Sequence, residues 1–284
     1  ANVPMIMSGS SLIRMEELVA VAPDAWFQAY LPGKVEQISP LIDRVAAAGF
    51  KTLVITVDTP SSSNRENNVR TGFSTPLRPS VRLAWEGISH PRWLFGTFLK
   101  TLMRHGMPHF ENSFATRGAP IMSANVMRDF SSRGHLNWDH VREIRARWKG
   151  PMVIKGILHP ADAALARQYG MDGVIVSNHG GRQLDGAVAP LRMLPQILDQ
   201  FKDGPVMLDS GVRRGTDVLK ALALGARCVF LGRPFNYAAA VGGPAGVDHA
   251  ISLLSQEISR NMAMMGINRL NELTPASLIH VGRS

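Results

Sequence analysis

GVIVSNHGGRQLDG, residues 173–186, is the stretch on which the reading of this chain turns. Aliphatic, mostly β-branched residues stop at Ser177, Asn178 and His179, and two glycines and Arg182 follow. A buried strand that ends in a base, paired glycines and a cation resembles the carboxyl end of a parallel strand, where barrels and open α/β sheets place their chemistry.

Similar runs recur on both sides of it: VPMIMS (3–8), WFQAYL (26–31), TLVITVD (52–58), PMVIKG (151–156), PVMLDSG (205–211) and CVFLGR (228–233). Their near-continuous apolar character predicts strands buried on both faces of a parallel sheet. Between them lie helical patterns such as VEQISPLIDRVAAAG, PADAALARQYG and GTDVLKALALGA, several closed by glycine. The βαβα rhythm implies right-handed crossovers. No G-x-G-x-x-G follows any of these strands, which weighs against a dinucleotide-binding open sheet, and GGPAG at 242–246 reads as a loop. Each run carries polar residues at or near its end (Ser8; Gln28 and Tyr30; Thr56 and Asp58; Lys155; Ser177 to His179; Asp209; Arg233 after Gly232), and these ends would converge on the mouth of a (β/α)8 TIM barrel. Seven runs fall one short of eight, and the chain opens on Ala1 almost directly into VPMIMS. The expectation is therefore a barrel lacking its first strand and N-terminal segment here, that segment being attached upstream or supplied by another polypeptide. Residues 1–284 read as a single barrel domain, with a long basic and aromatic insertion at about 61–137.

Composition agrees with one large globular domain: 284 residues, 45% hydrophobic and 19% charged. The single cysteine, Cys228, excludes an internal disulfide and reads as a buried, inert thiol in the strand-like ARCVFLG. There is no apolar run long enough for a membrane span and no signal peptide, so a cytoplasmic location is expected. The net charge of +9 is concentrated: residues 65–149 hold 14 Lys and Arg against 6 Asp and Glu, leaving the remainder almost neutral.

The strand ends suggest chemistry. DSGVRRGTD (209–217) and LGRP (231–234) each pair glycine with arginine, and the first opens a helix whose free N–H groups favour an anion. Loops after the last two strands form the usual phosphate site of this fold, and Arg213 and Arg233 could clamp a phosphate. A tight turn with solvated arginines is the plainer alternative. Lys155 ends an apolar strand and so needs a negative partner, for which a reduced flavin would serve. A Schiff-base or snorkelling lysine stays open. His179, beside glycines, is suited to move a proton near neutral pH.

Together, VIKG, SNHGGRQLDG, DSGVRRGTDVLKALALGA and LGRP resemble the FMN-dependent 2-hydroxy-acid oxidase and dehydrogenase family, across essentially the whole chain. The resemblance implies oxidation of a small L-2-hydroxy acid, mandelate- or lactate-like, to the 2-oxo acid, with His179 removing the substrate proton and electrons passing to FMN. It implies that Arg65 and Arg182 hold the substrate carboxylate, that Tyr30 hydrogen-bonds the substrate, and that Asp58 pairs with His179. Lys155 would stabilise negative charge on the reduced flavin. Ser8, Gln28, Thr56, Ser177, Asp209, Gly211, Arg213, Gly232 and Arg233 would bind FMN. The small Ser10 lies near where the family tunes substrate size and favours an aryl group. A homo-oligomer, in this case a tetramer, is expected, with oxygen, a quinone or another carrier as electron acceptor. Ser63 stands where the family usually has glycine. Two other readings are a different FMN- or phosphate-binding barrel, such as an isomerase, and a non-catalytic truncated phosphate-binding barrel.

About ninety residues separate Pro60 from Pro151, far beyond an ordinary connection. Here SVRLAWEGISHPRWLFGTFLKTLMRHGMPHF (80–110) mixes cations with Trp, Phe, Leu and Met. His105 and His109 are separated by the helix breakers Gly106 and Pro108, so no metal is expected. No nucleic-acid-binding motif accompanies the charge, so no nucleic-acid partner is expected. HPRW and HGMPHF resemble the membrane-bound mandelate and lactate dehydrogenases at their membrane-binding insert. That makes residues 77–120 a candidate membrane surface, peripheral on the cytoplasmic face, with a plain lid as the alternative.

Overall fold

The computed structural model describes residues 3–72, 80–123, 133–279 and 281. Residues 77–79 of the candidate membrane stretch, and 73–79 and 124–132 of the expected insertion, lie outside the described residues. The chain divides into two compact units, Pro4–Gly150 and Pro151–Ser284 with Ala1–Val3.

Pro4–Gly150 is built on β1 (Ile6–Ser8), α1 (Met15–Val21), β2 (Trp26–Tyr30), α2 (Ile38–Ala48) and β3 (Leu53–Thr56). The three strands are parallel and neighbours in sequence, with Ser8 opposite Gln28 and Tyr30 opposite Thr56. In β2 the side chains alternate: Phe27 and Ala29 are fully buried, while Trp26, Gln28 and Tyr30 on the other face are only partly so. Leu41, Ile42 and Val45 form the buried stripe of α2, which stops at Gly49 in the left-handed region (φ 98). After β3 come α3 (Glu66–Arg70), α4 (Val81–Ser89) and α5 (Pro91–Trp93), which runs through a π-helical stretch, Leu94–Leu99, into α6 (Lys100–His105). Ser80 caps α4 by accepting the Leu83 N–H at 3.2 Å. Gly106 (φ 72) ends α6, as the sequence predicts. No residue of α4, α5, the π-helical stretch or α6 is buried.

The chain returns through a segment that is held firmly. Asn112, 1% exposed, accepts the Met15 N–H at 2.9 Å and donates to the carbonyls of Ser11 (3.0 Å) and Ile13 (2.7 Å). Arg44 donates to the carbonyls of Glu111 and Phe114 and to the Glu16 carboxylate, which holds the Glu16 carboxyl below its ordinary range. Helix α7 (Trp138–Arg147), capped by Asn137 and His140, closes the unit.

Residues 151–284 contain β4 (Met152–Ile157), α8 (Pro160–Gln168), β5 (Gly173–Val176), α9 (Pro190–Gln200), β6 (Val206–Leu208) and α10 (Gly215–Ala223). These strands too are parallel and paired in sequence order. Val174, Ile175 and Val176 have no exposed surface. Pro160 and Pro190 sit in the first turns of their helices, where a missing N–H costs nothing.

Two expectations are corrected. The seventh run, CVFLGR, forms a single parallel bridge, Leu208 to Val229, rather than a strand; its residues are only half-buried, and helix α11 (Arg233–Met264) takes over immediately. Cys228 is accordingly only partly buried, though burial still pushes its thiol pKa up and so disfavours the thiolate. GGPAG is not a free loop either. It breaks α11 at Gly243 (φ 57, ψ −145), and the two halves pack so closely that a Cβ on Gly246 would lie 2.2 Å from the Ala238 carbonyl oxygen.

Candidate active site

In the first unit the strand ends carry the expected polar set. Gln28 donates to the Thr56 hydroxyl at 2.7 Å across the β2–β3 pair. Gly9 follows Ser8 and donates to the Gln28 carbonyl; a Cβ there would meet that oxygen at 2.9 Å, so only glycine fits the turn after β1. Tyr30 closes β2, and the buried Arg133 guanidinium lies 6.0 Å from its ring centre, at the limit of a cation–π contact. Ser63 accepts a hydrogen bond from Arg65 Nε at 2.8 Å, so the serine that replaces the usual glycine holds the arginine side chain.

The second unit carries the denser cluster. Lys155, 7% exposed at the end of β4, places Nζ 3.0 Å from Asp209 Oδ2 and 3.0 Å from Ser177 Oγ. The negative partner that a strand-end lysine demands is thus supplied by the protein itself at the end of β6. Ser177, fully buried, also accepts the His179 backbone N–H at 3.0 Å. His179 stands in the left-handed region (φ 56), followed by Gly180 (φ 68) and Gly181 (φ 71). Arg233 Nη2 donates to the Gly180 carbonyl at 2.5 Å. The side chains of Arg182 and Arg213 make no hydrogen bond or ion pair among the described residues, and both are exposed.

The amides at the start of α10 differ from expectation. They are not free for an anion: Asp217 accepts from Arg213 N and Arg214 N at 2.9 and 3.0 Å, and Glu257 accepts from Gly215 N at 2.7 Å. Gly211 and Gly232, by contrast, have no heavy atom within 4 Å of where a Cβ would stand, so their backbones can be approached closely. Among the described residues no group of three or more His, Cys, Asp or Glu is placed to hold a metal ion.

Sequence reasoning missed Ser210 and Arg133. Ser210 hides in DSGVRRG, where its only mark is a hydroxyl between an aspartate and a glycine. Arg133 lies among many surface arginines and carries no signal at all.

The chain is similar to proteins of one family. Residues 1–280 match the model of the FMN-dependent dehydrogenases. L-lactate dehydrogenase of Pectobacterium atrosepticum is 38% identical, over 99% of this chain and 72% of that protein. The L-lactate dehydrogenase of Azorhizobium caulinodans is 39% identical, over 99% and 74%. Among solved structures, the monotopic membrane protein (S)-mandelate dehydrogenase superposes with TM-score 0.86 at 35% identity, covering 97% of this chain and 72% of its own. A mandelate oxidase superposes with TM-score 0.72 at 32% identity, over 96% and 69%. The chain belongs to the FMN-dependent dehydrogenases, in the 2-hydroxy-acid group, and its fold is that of their (β/α)8 barrel. Its cofactor is FMN. The donor set suits that cofactor: a buried lysine, strand-end hydroxyls, an amide side chain, two open glycine backbones and arginines.

Proposed function

We propose that this protein oxidises a small L-2-hydroxy acid, mandelate- or lactate-like, to the 2-oxo acid, with His179 as the base that takes the substrate proton. The observation that carries the reading is the base mounted on β5: His179 follows a fully buried strand, its backbone N–H is tied to Ser177, and Ser177 is tied to Lys155. FMN, when bound, accepts the substrate's electron pair. Ser8, Gln28, Thr56, Ser177, Asp209, Gly211, Arg213, Gly232 and Arg233 would hold it, and Lys155 would supply positive charge to it. Arg65 and Arg182 would bind the substrate carboxylate, Tyr30 would hydrogen-bond the substrate, and Asp58 would act with His179 in catalysis. A base held by its neighbours in one orientation contributes about 10²–10⁴-fold in rate.

Anaerobic mixing with a panel of L-2-hydroxy acids tests this. The yellow chromophore should bleach, fastest with mandelate if the small Ser10 leaves room for an aryl group. In His179→Gln, FMN should stay bound while bleaching slows by about 10²–10⁴-fold. Bleaching at the parent rate in that variant would move the base elsewhere. Readmitting oxygen or a quinone then identifies the acceptor.

We also propose that the stretch 80–110 seats the protein on an anionic membrane surface. Val81, Trp85 and Ile88 lie at helical spacing along one face of α4 and are 88%, 68% and 64% exposed. Arg82, Arg92, Lys100 and Arg104 accompany them. The mandelate dehydrogenase neighbour, a monotopic membrane protein, supports this reading. No described helix is long and apolar enough to cross a membrane.

A further inference from the structure

Ser210 is one of only two non-glycine residues described with positive φ (79°); the other is His179. Backbone held there by an L-residue is strained, and strain of this kind persists where surrounding contacts over-determine it. A glycine would satisfy the same backbone at no cost, so the serine contributes a hydroxyl and nothing else. The hydrogen bonds say where that hydroxyl is used. Ser210 Oγ donates to Asp209 Oδ1 at 2.9 Å and accepts the Gly180 N–H at 2.8 Å. Ser177 Oγ lies 3.5 Å away and already accepts from Lys155 and His179 N. Because Ser210 has spent its single proton on Asp209, Ser177 is the donor in that longer contact. Each hydroxyl is then fully engaged, and the chain Lys155–Asp209–Ser210 ends on the peptide next to His179.

Gly180 is gripped on both sides, its N–H by Ser210 and its carbonyl by Arg233. A Cβ on Gly180 would stand 2.5 Å from Arg233 Nη2, so the grip also accounts for the glycine. We propose that Ser210 is the positioning residue for His179: its hydroxyl fixes the left-handed turn His179–Gly181 and so the direction in which the imidazole faces the substrate. This rests on the reading of His179 as the base.

The test uses Ser210→Gly in the holoenzyme, with Ser210→Ala and His179→Gln beside it. Glycine removes the hydroxyl and relieves the backbone strain, so comparison with Ser210→Ala, which keeps the strain, separates loss of the hydroxyl from a folding defect. Three quantities are read: the anaerobic rate of flavin bleaching against substrate concentration, FMN retention on dilution, and amide hydrogen exchange of the peptide containing Gly180. In Ser210→Gly the maximal rate should fall about tenfold, the scale of one neutral hydrogen bond, while the concentration for half-maximal rate changes less than about twofold. FMN retention should be unchanged and the Gly180 amide should exchange faster. Ser210→Ala should show the same rate loss with a lower melting temperature. A parental bleaching rate in Ser210→Gly, with His179→Gln strongly impaired, overturns the proposal. So does an unchanged Gly180 exchange rate, whatever the kinetics. If His179→Gln alone bleaches normally, the base assignment fails, and the exchange measurement still decides whether Ser210 holds the turn.

Discussion

The end of β5 and the stretch 80–110 are both short, apolar-rich pieces of chain with a histidine and cations close by, yet they are opposites. Val174–Val176 have no exposed surface, and Ser177, which follows them, is tied through its hydroxyl to Lys155 and Ser210, and Lys155 to Asp209. In α4 through α6 no residue is buried, and Trp85, Ile88 and Phe95 are about two-thirds exposed. Apolar residues that become core position chemistry at their edge. Apolar residues that stay outside, on one helical face and among cations, are surface to be used in contact with something else.

The comparison breaks most completely at the membrane. Replacing residues 81–105 with a polar linker should abolish sedimentation with anionic vesicles at low salt and leave a yellow protein; vesicle binding that survives would return this stretch to the role of a lid. A longer replacement, 77–120, would also remove the buried Asn112 and Glu111 and damage α1, so it is the wrong cut. Within the site, Lys155→Met leaves Asp209 without its buried partner. Unfolding free energy should drop by up to about 3–5 kcal/mol, less to the extent that Asp209 reaches water, and sulfite affinity of the flavin should fall more than substrate affinity. Urea melts and a sulfite titration check both. Ile175→Ala should cost about 2–5 kcal/mol, against no more than about 0.5 kcal/mol for Trp85→Ala, measured by the same melts. Equal costs would mean that Trp85 is packed after all.

A smaller effect sharpens the contrast between buried and surface charge. The Glu16 carboxyl is lowered from 4.5 by its hydrogen bond to Arg44. A carboxyl lowered on folding adds stability that is complete above the unfolded value and is lost as pH falls through the folded one. Glu16→Gln should therefore lower the melting temperature modestly at pH 7, Glu16 being a third exposed, and the two proteins should converge as pH falls below about 4.5.

The strands were legible because burial on both faces writes a continuous apolar run, and the strand-end residues were legible because polarity interrupts that run. Thus Lys155, Ser177 and His179 could be found before any coordinates. CVFLGR carried the same signal and still made only a bridge, since pairing depends on what lies alongside and not on the run itself. The open start of α10 was misread for a related reason: Glu257, which fills it, is 42 residues away from Gly215. Asn112 and Arg133 act through contacts more than twice as remote in sequence, and spacing alone holds no trace of them. Ser210 was visible but silent, because its importance lies in a backbone angle.

That angle bears on how the protein responds to selection. Two side chains at the end of the barrel strands, His179 and Ser210, sit where glycine would be more comfortable, by roughly 1–2 kcal/mol each. Under the proposed roles, glycine at either position would relieve that strain and slow turnover, the relief at Ser210 being offset in part by the hydrogen bonds its hydroxyl makes to Asp209 and Gly180. Selection on growth would keep the imidazole and the hydroxyl and find its stability elsewhere, in helix caps and surface charge. Under those roles, backbone ease and turnover pull in opposite directions at these two positions.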